Sequence, residues 1–538
     1  IENVNTDWEN DGEKNNGIQI MSMSLGTTSD SNGQDSQSLL VNQANAAGIA
    51  VVIAMGNDGD EEVPSPAAAD WSIAVGAMDN NENVNRNDDD LASYSNYGPR
   101  EDDGDSDRWD ELKPSVVAPG SNIRAAAGHA NFFGDSNLSE IEVYISNMTN
   151  ALKHRGPDSK GIWLDEKRNL ALGHRRLSII DLSDTGHQPM VSNCGRFVLS
   201  FNGEIYNHLE LRKKFENLSK EKNDKELIWK GTSDTETILE GFSLIGIEHT
   251  LKKSVGMFAM AIWDLEEEKL HLTRDRMGEK PLYYGWSNKN FIFASELKAF
   301  KEYKLFNNEI DRDSINIYMR HNYIPTPRSI YKNIFKLIPG TLISLGLDDT
   351  KNNVAKLETS VWWSLKEVTS EGKRNLILDD RQNLKQLEES LIDSIKLQSV
   401  ADVPLGAFLS GGVDSSLIVS LMQSISKTKI NTFSIGFKEG DYNEAEYAKK
   451  VASHLKTNHT EYYLSYQDAL DLVPRLPQLY DEPFADSSQI PTHLVSLIAR
   501  KHVTVVLSGD AGDELFGGYV RHLQAPKVWK IISLIPKK

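Results

Sequence analysis

Apolar runs bounded by Gly, Ser and Asp punctuate this chain, and several follow the order strand, turn, helix. Val403 to Leu409 is β-prone, Ser410 to Ser416 is a Gly/Ser turn, and Leu417 to Met422 continues with helical apolar spacing. Asn431 to Phe437 reads as a strand ending beside glycine, and Val503 to Leu507 as another that enters Ser508-Gly509-Asp510-Ala511-Gly512-Asp513-Glu514. Together with a helical pattern at Leu387 to Leu397, this alternation predicts a doubly wound parallel sheet. Ligands of such a sheet bind beyond the carboxyl ends of its strands, where both turns would lie. Upstream, Arg196 to Phe201 and Met257 to Trp263 are short β runs in hairpin-like succession. Nearer the start, a helical pattern (Gln37 to Ala47) precedes the continuous β run Gly48 to Ala54. Trp71 to Ala77 reads as the next strand, so this region is a separate α/β layer.

Charge divides the chain where these patterns change. Residues 1–128 hold 24 Asp and Glu against 6 Lys and Arg, while the rest holds 54 against 52. The step predicts a seam near residue 128 and argues against nucleic acid as a partner of the acidic part. At 538 residues the chain has room for three or four domains, at roughly 100–200 residues each. No apolar run approaches the roughly 20 residues that span a bilayer, so no membrane partner is expected. One cysteine, Cys194, excludes an internal disulfide framework and fits a reducing compartment.

The Ser410-Gly411-Gly412-Val413-Asp414-Ser415-Ser416 turn has the makings of an anion site. Backbone N–H groups and a helix dipole converge there, and glycines let a phosphate approach closely. Asp414 adds a carboxylate, which suits a Mg²⁺ accompanying the phosphates, and Asp513 in the second turn could share it. The spacing is not that of a P-loop, which ends in Gly-Lys-Ser/Thr. A second constellation lies at Arg176, Glu204 and Asp234. An α-amino acid needs a carboxylate for its ammonium and an Arg for its carboxylate, and these residue types could supply both.

Three motif sets resemble known families. Ser-Gly-Gly-x-Asp-Ser is similar to the pyrophosphate loop of ATP pyrophosphatases, and Ser508 to Tyr519 resembles the matching segment of asparagine synthetases. His154-Arg155-Gly156-Pro157-Asp158, Gly173 to Asp181, Phe201 to Asn207, Thr232 to Glu236 and Arg274 to Tyr283 resemble the glutaminase domain of glutamine-hydrolysing asparagine synthetases. That resemblance covers about residues 129–525. It implies an N-terminal-nucleophile αββα glutaminase domain over 128–340, a linker over 341–384 and an adenine-nucleotide α-hydrolase-like ATP-pyrophosphatase domain over 385–538. The last of these is expected to be truncated at its C-terminal side.

The same resemblance implies site residues and partners. Glutamine would be held by Arg176, Leu177, Ser178, Ile179, Ile180, Asn202, Gly203, Glu204 and Asp234, with Asn202 and Gly203 as the oxyanion hole. ATP would meet Leu409, Ser410, Gly411, Gly412, Asp414, Ser415, Ser416, Ile435, Ser508 and Gly509, with Mg²⁺ on Asp414 and Asp513. Asp510 is expected near the aspartate substrate, and Asp481 to Asp486 beside the same site. The implied reaction adenylates the aspartate β-carboxylate and displaces AMP with nitrogen from glutamine or ammonia, in a cytoplasmic and, as in the family, homodimeric enzyme. One departure stands out. Aligning Asn131-Phe132-Phe133 on the family's Gly-Phe-Phe puts Ala127 where the nucleophilic Cys belongs, so the glutaminase step is expected to be dead. Cys194, in the Ser192-Asn193-Cys194-Gly195 turn, reads as an ordinary turn cysteine.

Before the seam, Ser22 to Gly26, the Gly56-Asn57 turn, Tyr94 to Gly98 and Lys113 to Gly120 resemble the middle of a subtilisin-like serine protease, a family of secreted enzymes. Asn57 occupies that family's oxyanion-donor position. The family's Asp, His and Ser motifs are not in this sequence, so residues 1–127 read as an inert fragment and the serine-peptidase alternative as a remnant. The acidic runs at 88–90 and 101–111 read as solvated loop, with Ca²⁺ the ion they would attract.

Overall fold

The computed structural model describes residues 20–23, 50–54, 73–75, 78–79, 90–91, 128–133, 138–223, 226–287, 290–346, 357–437 and 444–533. By backbone contacts the chain divides into two compact units, Ile1–Ala118 and Pro119–Lys538.

In the first unit, β1 (Ile20–Met23), β2 (Ala50–Ala54) and β3 (Ile73–Val75) form a parallel three-stranded sheet in that order. The short strands β4 (Met78–Asp79) and β5 (Asp90–Leu91) pair antiparallel. The parallel pairing is the one the uninterrupted apolar run at 48–54 predicts. Asn57 and the acidic loop at 101–111 lie outside the described residues.

The second unit begins with β6 (Gly128–Phe133), helix α1 (Leu138–Ala151), β7 (Ser159–Asp165) and β8 (Leu170–Arg176). Next come β9 (Met190–Val191), β10 (Phe197–Ile205), α2 (His208–Asn223), α3 (Asp234–Ile245), β11 (Gly256–Asp264) and β12 (Lys269–Arg274). The strands β13 (Tyr283–Ser287), β14 (Asn290–Ala294), β15 (Ile334–Lys336), β16 (Thr341–Gly346) and β17 (Glu358–Val361) complete the region. They form two antiparallel six-stranded sheets, ordered β17-β16-β12-β11-β10-β9 and β15-β13-β14-β6-β8-β7. Period-two alternation sorts β10 between two cores. Phe197, Leu199, Phe201 and Ile205 pack with Phe215 of α2 and Leu239 and Phe242 of α3. Val198 faces the other way, into a core between the sheets with Leu170, Leu172, Trp263, Phe291 and Phe293. With α1 against β6 and β8, the layers run helix, sheet, sheet, helix.

The sheet reaches further than the sequence suggested. Residues 341–384 read as a linker, yet β16 and β17 extend the first sheet beyond β12, with β17 at its edge, and Leu342, Ile343 and Leu345 are core residues. Trp362 is likewise buried, stacked on Phe258 at 5.9 Å between centroids, and its indole N–H donates to Thr273 Oγ1 at 3.1 Å. The polar composition of the 347–356 segment hid this pair of strands, of which β16 alternates between the two cores.

Beyond it lie helix α4 (Asp380–Gln398), β18 (Leu405–Phe408), α5 (Val413–Ile425), β19 (Asn431–Phe437), α6 (Ala445–Leu455) and β20 (Asn458–Leu464). Helix α7 (Gln489–Ala499), β21 (Val505–Leu507) and α8 (Gly512–Phe516) follow. All four strands are parallel, in the order β20-β19-β18-β21, with helices on both faces. On one face Ala407 and Leu409 meet Val419 and Met422 of α5 and Ala448 of α6, while on the other Phe433 meets Ala499. Helix α4 starts seven residues before the apolar pattern, because Asp379 caps it by accepting from the N–H groups of Arg381 and Gln382.

Half-buried ion pairs join the parallel-sheet region to the antiparallel one. Lys298 binds Asp481 through its backbone N–H at 3.0 Å and its ammonium at 3.3 Å. Glu296 gathers Lys298, His154 and Arg155, the last at 2.6 Å. Glu482 pairs with Lys336 and accepts from the Ile330 N–H at 3.2 Å. The Asp481-Glu482 pair therefore faces the antiparallel sheets.

Candidate active site

The slot between the two antiparallel sheets changes character along its length. Leu170 and Leu172 of β8 and Val198 of β10 make one end apolar; two residues further on, the same faces carry His174 and Arg176, and Ser200, Asn202 and Glu204. His174 Nδ1 lies 3.3 Å from Ser200 Oγ, and Asn202 donates through Nδ2 to Ser295 Oγ, at the end of β14, at 3.2 Å. All of these side chains are buried. The space between the sheets thus has an apolar end and a buried polar end.

At the polar end two acceptors are unmet. Asn202 Oδ1 and Glu204 Oε1 are buried and receive no hydrogen bond. Burial without donors raises the Glu204 carboxyl to about 8; the negative charge of Asp234 adds to the shift and Lys280 opposes it. Burial also raises Asp234, although its oxygens accept the N–H groups of Ile205 at 2.8 Å and Thr235 at 2.9 Å. Such a pair of acceptors calls for a ligand that brings donors, and an α-ammonium or carboxamide does so. Gly203 lies between them at φ 155°, where an added Cβ would come within 2.1 Å of Met257 O.

Linkage makes the unmet Glu204 measurable. Its folded pKa lies above the unfolded value of a Glu, so between about 4.5 and 8 the folded state holds a proton that the unfolded chain has released. Stability from this group is complete below that window and falls as pH rises through it, by at most about 1.4 kcal/mol per pH unit. We expect the stability gap between wild type and Glu204→Gln to shift by a few kcal/mol between pH 5 and 8, in favour of the variant. Urea unfolding at both pH values checks this. Parallel pH trends in the two proteins would contradict it.

Arg176 departs from its expected part. Its guanidinium is spent on backbone, with Nη1 donating to Ser183 O at 3.1 Å and Nη2 to Ile180 O at 3.2 Å and to Asp181 O. It shapes the 177–183 loop. Gly186 is packed so close that a Cβ there would strike the guanidinium at 1.9 Å. Ser178 N–H donates to Asp158 Oδ2 at 2.8 Å, and Ile180 is buried. Asp181, in the left-handed region at φ 59°, accepts from Ser183, Thr185 and Thr232. Burial opposes its ionisation, but those donors bring its pKa down to about 2. Lys280 and Ser295 also act at this end, Lys280 through its charge on Glu204; Lys280 falls in the Arg274 to Tyr283 segment, whereas Ser295 carries no signal of its own in the sequence.

The second constellation lies at the carboxyl ends of β18 and β21. Leu409 N–H donates to Phe433 O at 2.9 Å, which aligns the exit of β18 with β19. Gly411 then turns at φ 85°, where a Cβ would come within 2.7 Å of Tyr447 Cβ. Ser410 and Ser415 hydroxyls meet at 2.9 Å across the turn. Gly412 caps α5 without a side chain, so the first-turn N–H groups receive no side-chain cap. The turn after β21 presses on this one: a Cβ on Gly509 would lie 2.8 Å from Ser415 N, and one on Gly512 would lie 2.6 Å from Asp414 Cγ. Asp414 is thereby next to the turn that carries Asp513, and its carboxylate makes no ion pair among the described residues. Ser508 Oγ donates to Asp510 Oδ2 at 2.8 Å, and Ile435 is half-buried on β19. No cluster of three potential metal ligands occurs among the described residues. The Asp414 carboxylate at the uncapped first turn of α5 nonetheless suits a Mg²⁺ that also takes phosphate oxygens.

Residues 127–363 match the glutamine amidotransferase domain family, 386–537 the asparagine synthase family and 2–156 the subtilase family. A relative in Methanocaldococcus jannaschii, described as asparagine synthetase [glutamine-hydrolyzing] 2, is 40% identical over 74% of this chain and 76% of its own length. Asparagine synthetase [glutamine-hydrolyzing] 1 of Bacillus subtilis is 35% identical over 71% of this chain. A relative of the same description in Mycobacterium tuberculosis is 32% identical over 77%. The chain spans 56% of the Bacillus protein and 62% of the mycobacterial one. Among the described residues no helix is long and apolar enough to cross a membrane.

Proposed function

The chain belongs to the family of glutamine-hydrolysing asparagine synthetases, and from that premise we propose that its 386–537 region is an ATP-dependent ligase acting on aspartate. The carrying observation is the contact between two Gly-rich acidic turns at neighbouring strand ends. The turn at 410–416 would take the β,γ-phosphates on its open N–H groups and serine hydroxyls, while Leu409, Ile435, Ser508 and Gly509 take the rest of ATP. Asp414 and Asp513 would hold Mg²⁺, which when bound neutralises phosphate charge as pyrophosphate leaves. Asp510, on the same turn, would face the aspartate substrate.

In this reading the aspartate β-carboxylate oxygen attacks the α-phosphorus of ATP and pyrophosphate departs. Ammonia then attacks the acyl carbon, a proton is lost, and AMP leaves with the oxygen that formed the mixed anhydride. The slot between the antiparallel sheets would hold glutamine: Glu204 and Asp234 near its α-ammonium, Asn202 and Gly203 beside its carboxamide, and the 177–180 backbone around its carboxylate. The unmet acceptors on Asn202 and Glu204 support a ligand rich in donors. Incubation with ATP, Mg²⁺, aspartate and ammonium should yield AMP, pyrophosphate and asparagine in equal amounts. Release of ADP instead, or pyrophosphate release indifferent to aspartate, would overturn the assignment.

For residues 2–156 the match is to subtilases, and no peptidase activity is proposed. The chain carries no Gly-Thr-Ser-Met-Ala segment for a nucleophile.

A further inference from the structure

The loop after β8 is held from two directions. From inside, Arg176 takes the carbonyls of Ile180, Asp181 and Ser183. From outside, the segment entering β18 supplies a bridge made by one residue. Asp402 N–H donates to Ile179 O at 2.9 Å, and Asp181 N–H donates to Asp402 Oδ2, also at 2.9 Å. The pair of bonds copies a strand pairing, with a carboxylate oxygen standing where a backbone carbonyl would accept. Between them Ile180 is buried.

We propose that Asp402 is a positioning residue for glutamine: it comes from the synthetase region and fixes the backbone of the 177–181 loop in the glutaminase region. The proposal rests on the reading of that loop as one wall of the glutamine slot. Three facts carry it. Asp402 is exposed, so its side chain adds little packing, and its two bonds are what it contributes. Those bonds fall on the residues flanking Ile180, at two groups that Arg176 does not take, the Ile179 carbonyl and the Asp181 N–H. Asp181 is a non-glycine residue at φ 59°, a conformation that persists only where its surroundings over-determine it. Without the Asp402 carboxylate the Asp181 N–H turns to water, the loop is held on this side by the single bond to Ile179 O, and a ligand must order it as it binds. The bridge needs an acceptor at Oδ2 rather than a charge, so an amide should serve in its place.

Calorimetric titration of the full chain with L-glutamine tests this directly. Asp402→Ala is expected to weaken binding by about tenfold, because it removes the acceptor for the Asp181 N–H while the backbone bond to Ile179 O stays. Asp402→Asn should stay within about twofold of wild type, because its side-chain oxygen still accepts. Equal affinity in Asp402→Ala and wild type would overturn the proposal. So would equal weakening in both variants with a lowered thermal midpoint, which marks a merely structural residue. Absence of glutamine binding to the wild type would instead overturn the reading of the slot, and this proposal with it.

Discussion

Glutamate release from glutamine is expected to stay at the uncatalysed background, while ammonium supports synthesis. Strand β6 starts at Gly128, paired with Arg175, so its amino end lies beside Arg176 at the polar end of the slot. The residue before it is Ala127, which has no thiol and whose nitrogen is an internal amide. Nucleophilic catalysis needs both an activated nucleophile and a base, and neither is present there. Removing a nucleophile from a hydrolase costs on the order of 10⁶ in rate. Cys194 cannot substitute. It sits in the turn before β10, while Asn202 lies five residues, about 17 Å, into that strand, and its thiol lies against Ser192 and Ser243. Burial pushes its thiol pKa up, but hydrogen bonds from those two hydroxyls outweigh it and lower the value. A glutaminase assay with and without iodoacetamide decides the matter. Turnover abolished by alkylation would place a nucleophile elsewhere and defeat the argument.

Local signals read correctly where the sequence pattern and the tertiary environment agree. Asn431–Phe437 is a strand over the run that predicted it, because both its faces are covered and every position is under the same demand. The Gly411, Gly509 and Gly512 positions were legible for a related reason: each is a place where backbone meets backbone or carboxylate, and only glycine fits. For Arg176 the sequence suggested a ligand carboxylate and the structure gives its guanidinium to loop carbonyls, since a guanidinium satisfies either set of acceptors equally well. Ser295 and Asp402 were illegible. Each acts across more than ninety residues of sequence separation through one or two hydrogen bonds, and such pairings leave no periodicity. The extension of the sheet through Val361 was hidden by a polar insertion between its last two strands.

Asp414→Asn should abolish most Mg·ATP binding while leaving the fold intact. The carboxylate stands beside Gly512 and makes no ion pair among the described residues, so its removal deprives no protein group of a partner. Surface turn changes of this kind usually alter stability by less than about 0.5 kcal/mol. An amide keeps the shape and removes the charge that a Mg²⁺ ligand must carry. The expected loss is on the order of 10–100-fold in nucleotide affinity, with a larger fall in pyrophosphate release because the metal also stabilises the leaving group. Chelation supplies the control. If Asp414 acts through Mg²⁺, wild type in EDTA should bind ATP as weakly as the variant does, and the variant should lose little more when the metal is withdrawn. The fall in affinity would then belong to the metal–carboxylate pair rather than to a disturbed turn. Nucleotide binding by the variant at wild-type strength, with Mg²⁺ saturating, would remove Asp414 from the site. A variant that still responds to EDTA as strongly as wild type would move the metal to other ligands.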